Sequence, residues 1–387
     1  MTQTMNKHLV RMRLIGRILC PLHAGTGETL DPFSLVLHKG RLHRVDLEDI
    51  LTNLDPAKAR VAADLISDNK LVALRQRLQE WYDPTRHPAR WTVGMSPAFA
   101  GQYQQAMAHD LNRLEIAAHR RHPVTGQPYI PGSTIKGALR TALVAQRAAA
   151  AHGSKHHELM QMAADKRRQG DFEPTLFGRK PGEMHRDPFR ALRISDAVVT
   201  SGPPHPDGTP RPDPMIVGTV TVRSLSTGAV NQPPEPGIPM QYEYIRGELM
   251  DQNLATRFEC SVAFDEHALK EGNLTGTFRP PELAKTAHDF YLANLHYERE
   301  RFMTPWNLTG RLKRLYDEAA ELKPEKGQFL LRLGRFSHLE NLTVRPPLRH
   351  AYSPQKKSEI TEGSGRGLAE DAWPFGWVLC RFAAAKE

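Results

Sequence analysis

The residues with the clearest chemical potential lie between positions 128 and 143, in the run PYIPGSTIKGALRTAL. Pro131 and Gly132 interrupt regular structure, and the hydroxyl of Ser133 or Thr134 can then accept a hydrogen bond from an unpaired backbone N–H. We therefore predict that a helix begins here. Its first turn would present backbone N–H donors and the positive end of the helix dipole, both of which attract anions.

Three cations recur on one face of this predicted helix. Lys136, Arg140 and Arg147 stand four and eleven residues apart, so at about 100° per residue they fall within roughly 40° of one another. This pattern favours binding of a phosphate backbone, although an amphipathic helix with an ordinary solvated face explains it equally well. A nucleotide-binding P-loop is a poorer interpretation, because Lys136 precedes Gly137 and no hydroxyl follows that pair.

Two glycines follow the first predicted strand. Gly25 and Gly27 would let the backbone come close to a ligand, or would simply form a tight turn, and the residues alone favour the turn. Farther along, the basic run 119–122 would enlarge the positive surface beside the predicted helix.

A second basic stretch lies near the C-terminus. The predicted strand there should direct Leu331 and Leu333 to the core and Arg332 outward. Arg335 and His338 would follow in the next loop, where cations give salt-sensitive and sequence-tolerant binding to phosphates. Two more arginines, Arg345 and Arg349, extend this stretch.

The composition narrows the classes of partner. The 387 residues include 52 Lys and Arg against 43 Asp and Glu, so the net charge is +9 and polyanions are the natural partners. Three isolated cysteines exclude a paired zinc motif and a disulfide framework and suit a reducing cytoplasm. The chain has no run of about twenty apolar residues, and arginines interrupt the apolar N-terminal stretch. We expect a cytoplasmic protein without a membrane partner.

Catalytic motifs are scarce. There is no Gly-x-Ser-x-Gly elbow, no His-Glu-x-x-His and no Asp-x-Asp cluster. His156 and His157 lie in a polar segment without the spacing or carboxylates of a metal site, so no metal is expected there.

The elements that position these residues alternate between strands and helices, which predicts an α+β fold with helices on one face of the sheets. Proline-rich segments at 202–214 and 231–239 read as a loop and a linker or crossover. The predicted strands are 9–19, 33–37, 42–45, 114–118, 191–199, 216–225, 240–247, 257–264, 328–334 and 375–382. The predicted helices cover 47–82, the segment that follows Pro131 and Gly132 (called the signature helix below), 281–300 and 306–320.

The run at 128–143 resembles the signature of the RAMP proteins, the RNA-binding subunits of type III CRISPR effector complexes, and in particular Csm subunit five. Two weaker matches flank it: PLHAGTGETLDPF at 21–33, and FLLRLGRFSHLENLTV followed by PFGWV. In the second match this chain has Arg335-Phe336-Ser337-His338-Leu339-Glu340 where many relatives carry a glycine-rich loop.

The resemblance implies ferredoxin-like or RRM-like folds with insertions. We divide the chain into a RAMP domain at 1–230, with a helical insertion at about 47–110 and a polar insertion at about 152–175, and an α+β part at 231–387 that completes the architecture. The loop 202–214 can correspond to a thumb-like projection over RNA in the family, or it can be a surface loop.

The resemblance also implies a function. It points to a structural crRNA-binding subunit that holds the 3′ part of the guide RNA in antiviral defence, with crRNA, target RNA, and Cas7-like backbone and small subunits as partners. A stand-alone RNA-binding protein is another interpretation. The candidate RNA-binding residues are His23, Gly25, Thr26, Gly27, Gly132, Ser133, Thr134, Lys136, Gly137, Arg140, Arg147, Arg335 and His338.

The alternative function is catalytic. Backbone subunits of the resembling family cleave target RNA with an aspartate in a loop after the first strand, and Asp31 lies near that place. Cleavage would require a divalent metal such as Mg²⁺, and no other cofactor is expected. Because Asp31 precedes Pro32 at a turn, where aspartate is common for backbone reasons, we favour a structural role.

Overall fold

The computed structural model describes residues 9–109, 115–180, 182–225, 230–231, 241–271, 278–353 and 357–385. Its strands are β1 (Leu9–Ile18), β2 (Gly25–Leu30), β3 (Leu35–His38), β4 (Arg41–Arg44), β5 (Trp91–Met95), β6 (Ile116–His119), β7 (Tyr129–Ile130), β8 (Leu192–Ile194), β9 (Ala197–Thr200), β10 (Met215–Ser224), β11 (Val230–Asn231), β12 (Gln241–Ile245), β13 (Arg257–Asp265), β14 (Gln328–Arg332), β15 (Ala351–Ser353), β16 (Ser358–Ile360), β17 (Gly365–Ala369), β18 (Trp373–Pro374) and β19 (Trp377–Ala384). Its helices are α1 (Leu47–Thr52), α2 (Pro56–Ser67), α3 (Leu71–Trp81), α4 (Pro97–His109), α5 (Gly132–Ala149), α6 (Gly153–Ala164), α7 (Gln169–Leu176), α8 (Glu266–Glu271), α9 (Pro280–Glu298) and α10 (Lys313–Ala320).

The first sheet is built around β1. Its strand order is β14-β19-β1-β13-β9-β7, and β8 also pairs with β13. The strand alternates as its sequence predicts, with Leu14 and Ile18 buried on one side. On the other side Arg13 forms an ion pair with Glu259, and Arg17 forms ion pairs with Glu248 and Glu318. Both neighbours, β13 and β19, run antiparallel to β1.

The second sheet has the order β2-β6-β12-β10-β5-β4-β3, with β11 and β17 also paired to β10. The β3–β4 hairpin turns at Lys39 and Gly40, as predicted, and both residues have positive φ. The predicted α+β class is confirmed. The division at residue 230 stays a prediction; strands from both sides of it pair within each sheet.

Helices α5 and α9 pack together and against the first sheet. The apolar stripe of α5, including Ile135, Leu139 and Ala142, is fully buried, which confirms the predicted amphipathic helix. The Tyr291 hydroxyl of α9 donates to the Ala138 carbonyl of α5 over 3.1 Å. This contact fixes the two helices side by side.

Several local predictions differ from the structure. Residues 25–30 form β2 rather than a loop, because the segment pairs with β6 through a register shift that its glycines accommodate. The predicted strand 191–199 is two strands, β8 and β9, and the predicted helix 306–320 narrows to α10. Strand β5 lies inside the predicted helical insertion, and the strands at 351–374 were not predicted.

Other predictions agree with the structure, and one concerns residues that the structure does not describe. The loop 202–214 contains neither helix nor strand, as its prolines require. The predicted polar insertion folds into α6 and α7, which bury Leu159 and Met162. The second proline cluster at 231–239 lies outside the described residues after its first position. Within the described part of the chain, no helix is long and apolar enough to cross a membrane.

A buried carboxylate joins elements that are far apart in sequence. Glu298, at the end of α9, is 2% exposed. It accepts hydrogen bonds from Arg332 of β14 (2.8 Å), Arg366 of β17 (2.9 Å) and the Trp377 indole of β19 (2.9 Å). Burial alone would raise the pKa of Glu298, but the two guanidinium groups outweigh burial and hold that pKa below its usual value. Glu298 is therefore charged in the folded protein.

Replacing this charge should destabilise the fold severely. In Glu298→Gln the side-chain shape is kept but two buried guanidinium groups lose their shared counter-charge, so we expect a loss of about 3–5 kcal/mol in the free energy of unfolding, measured by urea denaturation. The control is Asp289→Asn, which breaks an exposed ion pair with Lys285 and should cost far less. Equal effects of the two substitutions would contradict the assigned role of Glu298.

Candidate nucleic-acid interface

A cleft of about 470 Å³ opens where three distant segments of the chain meet. The first is the start of β2 at 24–27, the second is the first turns of α5 at 131–141, and the third follows β14 at 332–342. Arg120 and Tyr291 complete the lining. These three segments are the ones that carry the family resemblance in the sequence.

Buried polar groups fix the first segment. The His23 ring donates from Nδ1 to the Glu243 carbonyl over 2.6 Å, and the Ala24 N–H donates to Nδ1 of His119 over 3.1 Å. A Cβ at position 25 would lie 2.5 Å from Nε2 of His23, so this position requires glycine. The segment is rigid for reasons of packing, and Gly25 and Gly27 line the cleft.

Of the two histidines predicted to bind RNA, His23 is buried and His338 is half-buried, and both are neutral. Burial, together with the nearby Arg335, lowers the pKa of His23 to about 4. Burial also lowers the pKa of His338 well below its usual value, and Arg366 and Arg332 add to this shift. Neither ring lines the cleft. Both therefore support the walls and supply no positive charge at neutral pH.

The start of α5 differs from the predicted cap. Pro131 occupies the N-cap position, and Ser133 and Thr134 lie inside the first helical turn, where both line the cleft. The prediction that one of these hydroxyls caps the helix is wrong, since the fixed φ of Pro131 already sets the helix entry. The hydroxyls stay available for a ligand that enters the cleft.

Gly132 has a structural role. Its N–H donates to the Asp196 carboxylate over 2.8 Å, so this donor of the helix N-terminus is occupied. A Cβ at this position would lie 2.3 Å from the Ile194 carbonyl oxygen. The glycine thus allows α5 to pack on the connection between β8 and β9.

The three cations of α5 lie outside the cleft lining. Arg140 forms ion pairs with Asp187 (2.7 Å) and Glu173 (2.5 Å), so its charge is already compensated. The Arg147 guanidinium lies over the Phe177 ring. Lys136 is half-buried and has no ion pair within the described residues, and burial lowers its pKa. Of the three predicted phosphate-binding cations, Arg140 is therefore compensated by carboxylates that are distant in sequence, and none of the three lines the cleft.

The third segment is tied to the first through its backbone. The Arg335 N–H donates to the His23 carbonyl over 2.9 Å. Gly334 has φ of 81°, and a Cβ there would lie 2.5 Å from the same carbonyl oxygen. Residue 334 must be glycine for the two segments to touch, and their contact closes one end of the cleft.

The turn after Gly334 has an unusual backbone. Phe336 and His338 have φ of 65° and 61°, in the left-handed region that favours glycine. The Phe336 ring packs against Phe375 and Tyr242, with centroid distances of 4.8 and 5.2 Å. This aromatic cluster stabilises a backbone conformation that glycine would adopt without strain. The chain can therefore form this turn without the glycine-rich loop that many relatives carry there.

Arg332 does not face outward as predicted. It is 2% exposed and bound to Glu298, while Leu331 and Leu333 are buried as expected. The alternation rule fails because β14 is covered on both faces, so each of its side chains points into the protein. Arg349 is buried as well and donates to the Val344 carbonyl.

The charged side chains that line the cleft are all positive. Among the described residues that line it are three arginines, Arg120, Arg332 and Arg335, and no carboxylate. The hydroxyls of Ser133 and Thr134 add neutral donors and acceptors. Such a surface attracts anions.

The sequence patterns found part of this lining. Gly25, Gly27, Ser133, Thr134, Gly137 and Arg335 were predicted and lie in the cleft, whereas Thr26 does not line it. Thr141 and Asn341 were missed. The spacing of four residues through 133, 137 and 141 on one helix face was the available signal for Thr141. Within the basic run, Arg120 lines the cleft but Arg121 pairs with the buried Glu243 over 3.1 Å.

Comparison with known proteins identifies the family of this chain. The profile of the RAMP superfamily matches residues 17–295, which is more than half of the chain. The chain belongs to the RAMP superfamily.

Two curated RAMP relatives are named "CRISPR system Cms protein Csm5", from Mycobacterium tuberculosis strains CDC 1551 / Oshkosh and ATCC 25618 / H37Rv. Each is 25% identical over 211 residues, which cover 50% of this chain. The match spans 56% of the length of these relatives.

Two solved structures share the fold. One is a chain from a cryo-EM structure of a Csm-crRNA-target RNA ternary complex of a type III-A CRISPR-Cas system, with a TM-score of 0.60, 19% identity, and coverage of 96% of this chain and 100% of that chain. The other is crystalline T.onnurineus Csm5, with a TM-score of 0.58, 19% identity, and coverage of 94% and 99%. At this identity the likeness establishes the fold, and it confirms the predicted RAMP architecture.

Asp31, the candidate catalytic residue, is the N-cap of a short 3-10 turn at Pro32–Ser34. Its carboxylate accepts a hydrogen bond from the Phe33 N–H over 3.0 Å. Among the described residues there is no group of three or more His, Cys, Asp or Glu side chains that could hold a metal ion.

Removing the Asp31 carboxylate should leave target cleavage unchanged. We expect complexes assembled with Asp31→Ala and with Asp31→Asn to give the same products at the same rate as the natural chain, because the carboxylate serves a local turn. The Asn variant keeps a capping acceptor and separates a folding defect from loss of charge. Disappearance of a product band in both variants would support the catalytic alternative.

Proposed function

We propose that this RAMP protein is an RNA-binding subunit of a type III CRISPR-Cas effector complex. It holds the 3′ part of the guide RNA and packs against neighbouring backbone subunits in antiviral defence. The observation that carries the proposal is the cleft, in which three segments that resemble the family meet around three arginines without a lining carboxylate.

The lining suits the sugar-phosphate backbone of a single strand. Arg120 and Arg335 line the cleft and form no ion pair within the described residues, so their charge is available to phosphate oxygens. The Ser133 and Thr134 hydroxyls can donate to phosphate or exchange hydrogen bonds with a ribose 2′-hydroxyl. Contacts of this kind position RNA and carry no direct sequence information. A guide-binding subunit needs this tolerance, since spacer sequences differ.

The relatives support placement in a complex. Both curated relatives are named as Csm5 of a CRISPR system, and one structural neighbour comes from a complex with crRNA and target RNA. By analogy we assign crRNA, target RNA and the neighbouring subunits as partners of this chain. The position at the 3′ part of the guide rests on the resemblance to Csm subunit five.

A single substitution in the cleft tests this function. Gly137 lines the cleft, and a Cβ built there meets no described atom within 4 Å, so Gly137→Asp places a carboxylate in the cleft without a clash. The matched control is Gln146→Asp, at an exposed position later on α5 that is not part of the lining. Both variants change the charge of the same helix by the same amount.

Each tagged full-length chain is purified from cells that express the complex, with sequencing of bound RNA and identification of co-purifying proteins. We expect the natural chain and Gln146→Asp to carry short RNAs that share a repeat-derived 5′ end, together with other subunits. Gly137→Asp should retain the partners and bind RNA at least about tenfold more weakly, a difference of about 1.4 kcal/mol. A natural chain without RNA and without partners would contradict the proposed function.

A further inference from the structure

One donor of Arg332 is left unsatisfied at the floor of the cleft. Nε of Arg332 donates to the Phe375 carbonyl over 3.0 Å and Nη1 donates to Glu298 over 2.8 Å. Nη2 is buried and has no hydrogen-bond partner among the described residues. Arg332 nevertheless belongs to the cleft lining.

An unpaired donor of this kind is costly. Leaving a buried donor unsatisfied costs the desolvation free energy of that group, and the cost is larger when the group is charged. Nine buried side-chain nitrogen or oxygen atoms lack a hydrogen-bond partner among the described residues, and of the arginine donors in this set only Nη2 of Arg332 belongs to a residue that lines the cleft, where a ligand can supply the partner. The unsatisfied Nη2 is therefore an observation that itself points to a ligand.

The neighbouring guanidinium of Arg366 has no such unsatisfied donor. Arg366 belongs to the same buried network, yet its three nitrogens donate to Glu298, to the Gly365 carbonyl and to Glu340. Arg366 does not line the cleft. The network thus satisfies the arginine that faces away from the cleft and leaves a spare donor on the arginine at its floor.

A second feature of the cleft favours an anion at the same place. The first turns of α5, an 18-residue helix, also line the cleft with Pro131, Ser133 and Thr134. The positive end of the helix dipole therefore acts on the space that Arg332 borders. The exposed Arg335 guanidinium stands at the rim, over the Tyr242 ring.

We propose that Arg332 binds a phosphate of RNA held in the cleft, with its Nη2 donating to a non-bridging phosphate oxygen. Nη1 and Nε keep their bonds to Glu298 and Phe375 as in the RNA-free chain, and the cleft wall that covers Nη2 must shift for a phosphate oxygen to reach it. Glu298 acts as a positioning residue for this contact. The inference rests on the proposed function. It adds Arg332 to the candidate RNA-binding residues, although the sequence had predicted that this side chain faces outward from the strand.

The salt dependence of binding separates this role from a structural one. The full-length natural chain, Arg332→Gln and Arg366→Gln are titrated with a fluorescent oligouridylate at several salt concentrations. Loss of one phosphate contact should lower the slope of log affinity against log salt by about 0.7. We expect this decrease, and at least about tenfold weaker binding, in Arg332→Gln. Arg366→Gln disturbs the same network and should keep the natural slope.

The failures of the two proposals are distinguishable. If the natural chain does not bind the oligouridylate, the proposed function and this inference both fail. If it binds and Arg332→Gln keeps the natural slope, only the inference is overturned. Inorganic phosphate is titrated in parallel; Arg332-dependent binding of phosphate without binding of RNA would show a free-phosphate site and overturn the assignment to RNA.

A measurement on the natural chain covers the case in which Arg332→Gln does not fold. A structure of the chain with bound oligouridylate should place a phosphate oxygen within about 3.2 Å of Nη2. An RNA-bound structure in which Nη2 still has no ligand would overturn the inference.

Discussion

The buried carboxylate of Glu298 is the interaction on which the rest of the site depends. It ends α9 and accepts hydrogen bonds from β14, β17 and β19 through Arg332, Arg366 and Trp377. Arg366 also donates to Glu340, which lies in the segment that forms one wall of the cleft. A buried ion pair of this kind is weak evidence for net stability but strongly constrains geometry, since removal of one partner leaves the others uncompensated. It determines where the chain leaves β14 and turns toward His23.

The distribution of carboxylates decides where an anion can bind. The net charge of +9 does not locate the surface, because many cations are paired internally, among them Arg140 with Asp187 and Arg121 with Glu243. The cleft stands out because no carboxylate is among its described lining residues, although Arg332 is paired with Glu298 behind that lining. Local compensation, rather than net charge, therefore marks the cleft as the candidate interface.

Sequence patterns predicted the class of fold, the signature helix, the β3–β4 hairpin and the segments that meet in the cleft. They failed where a side chain is governed by a distant partner. Arg140 of α5 looked free because Asp187 and Glu173 lie far along the chain, and Arg332 looked exposed because nothing in β14 reveals that both faces are covered. Strand β2 was missed because its glycines read as a turn, although pairing with β6 overrides that local preference.

We infer that residues 24–27, 131–141 and 332–342, which line one cleft, form a single RNA-contacting surface. Ultraviolet cross-linking of the purified RNA-bound complex, followed by mass spectrometry of this chain, tests it most directly. The account predicts RNA cross-links in peptides from all three segments. Cross-links confined to other regions, such as the loop 202–214, with none in these three segments would contradict it.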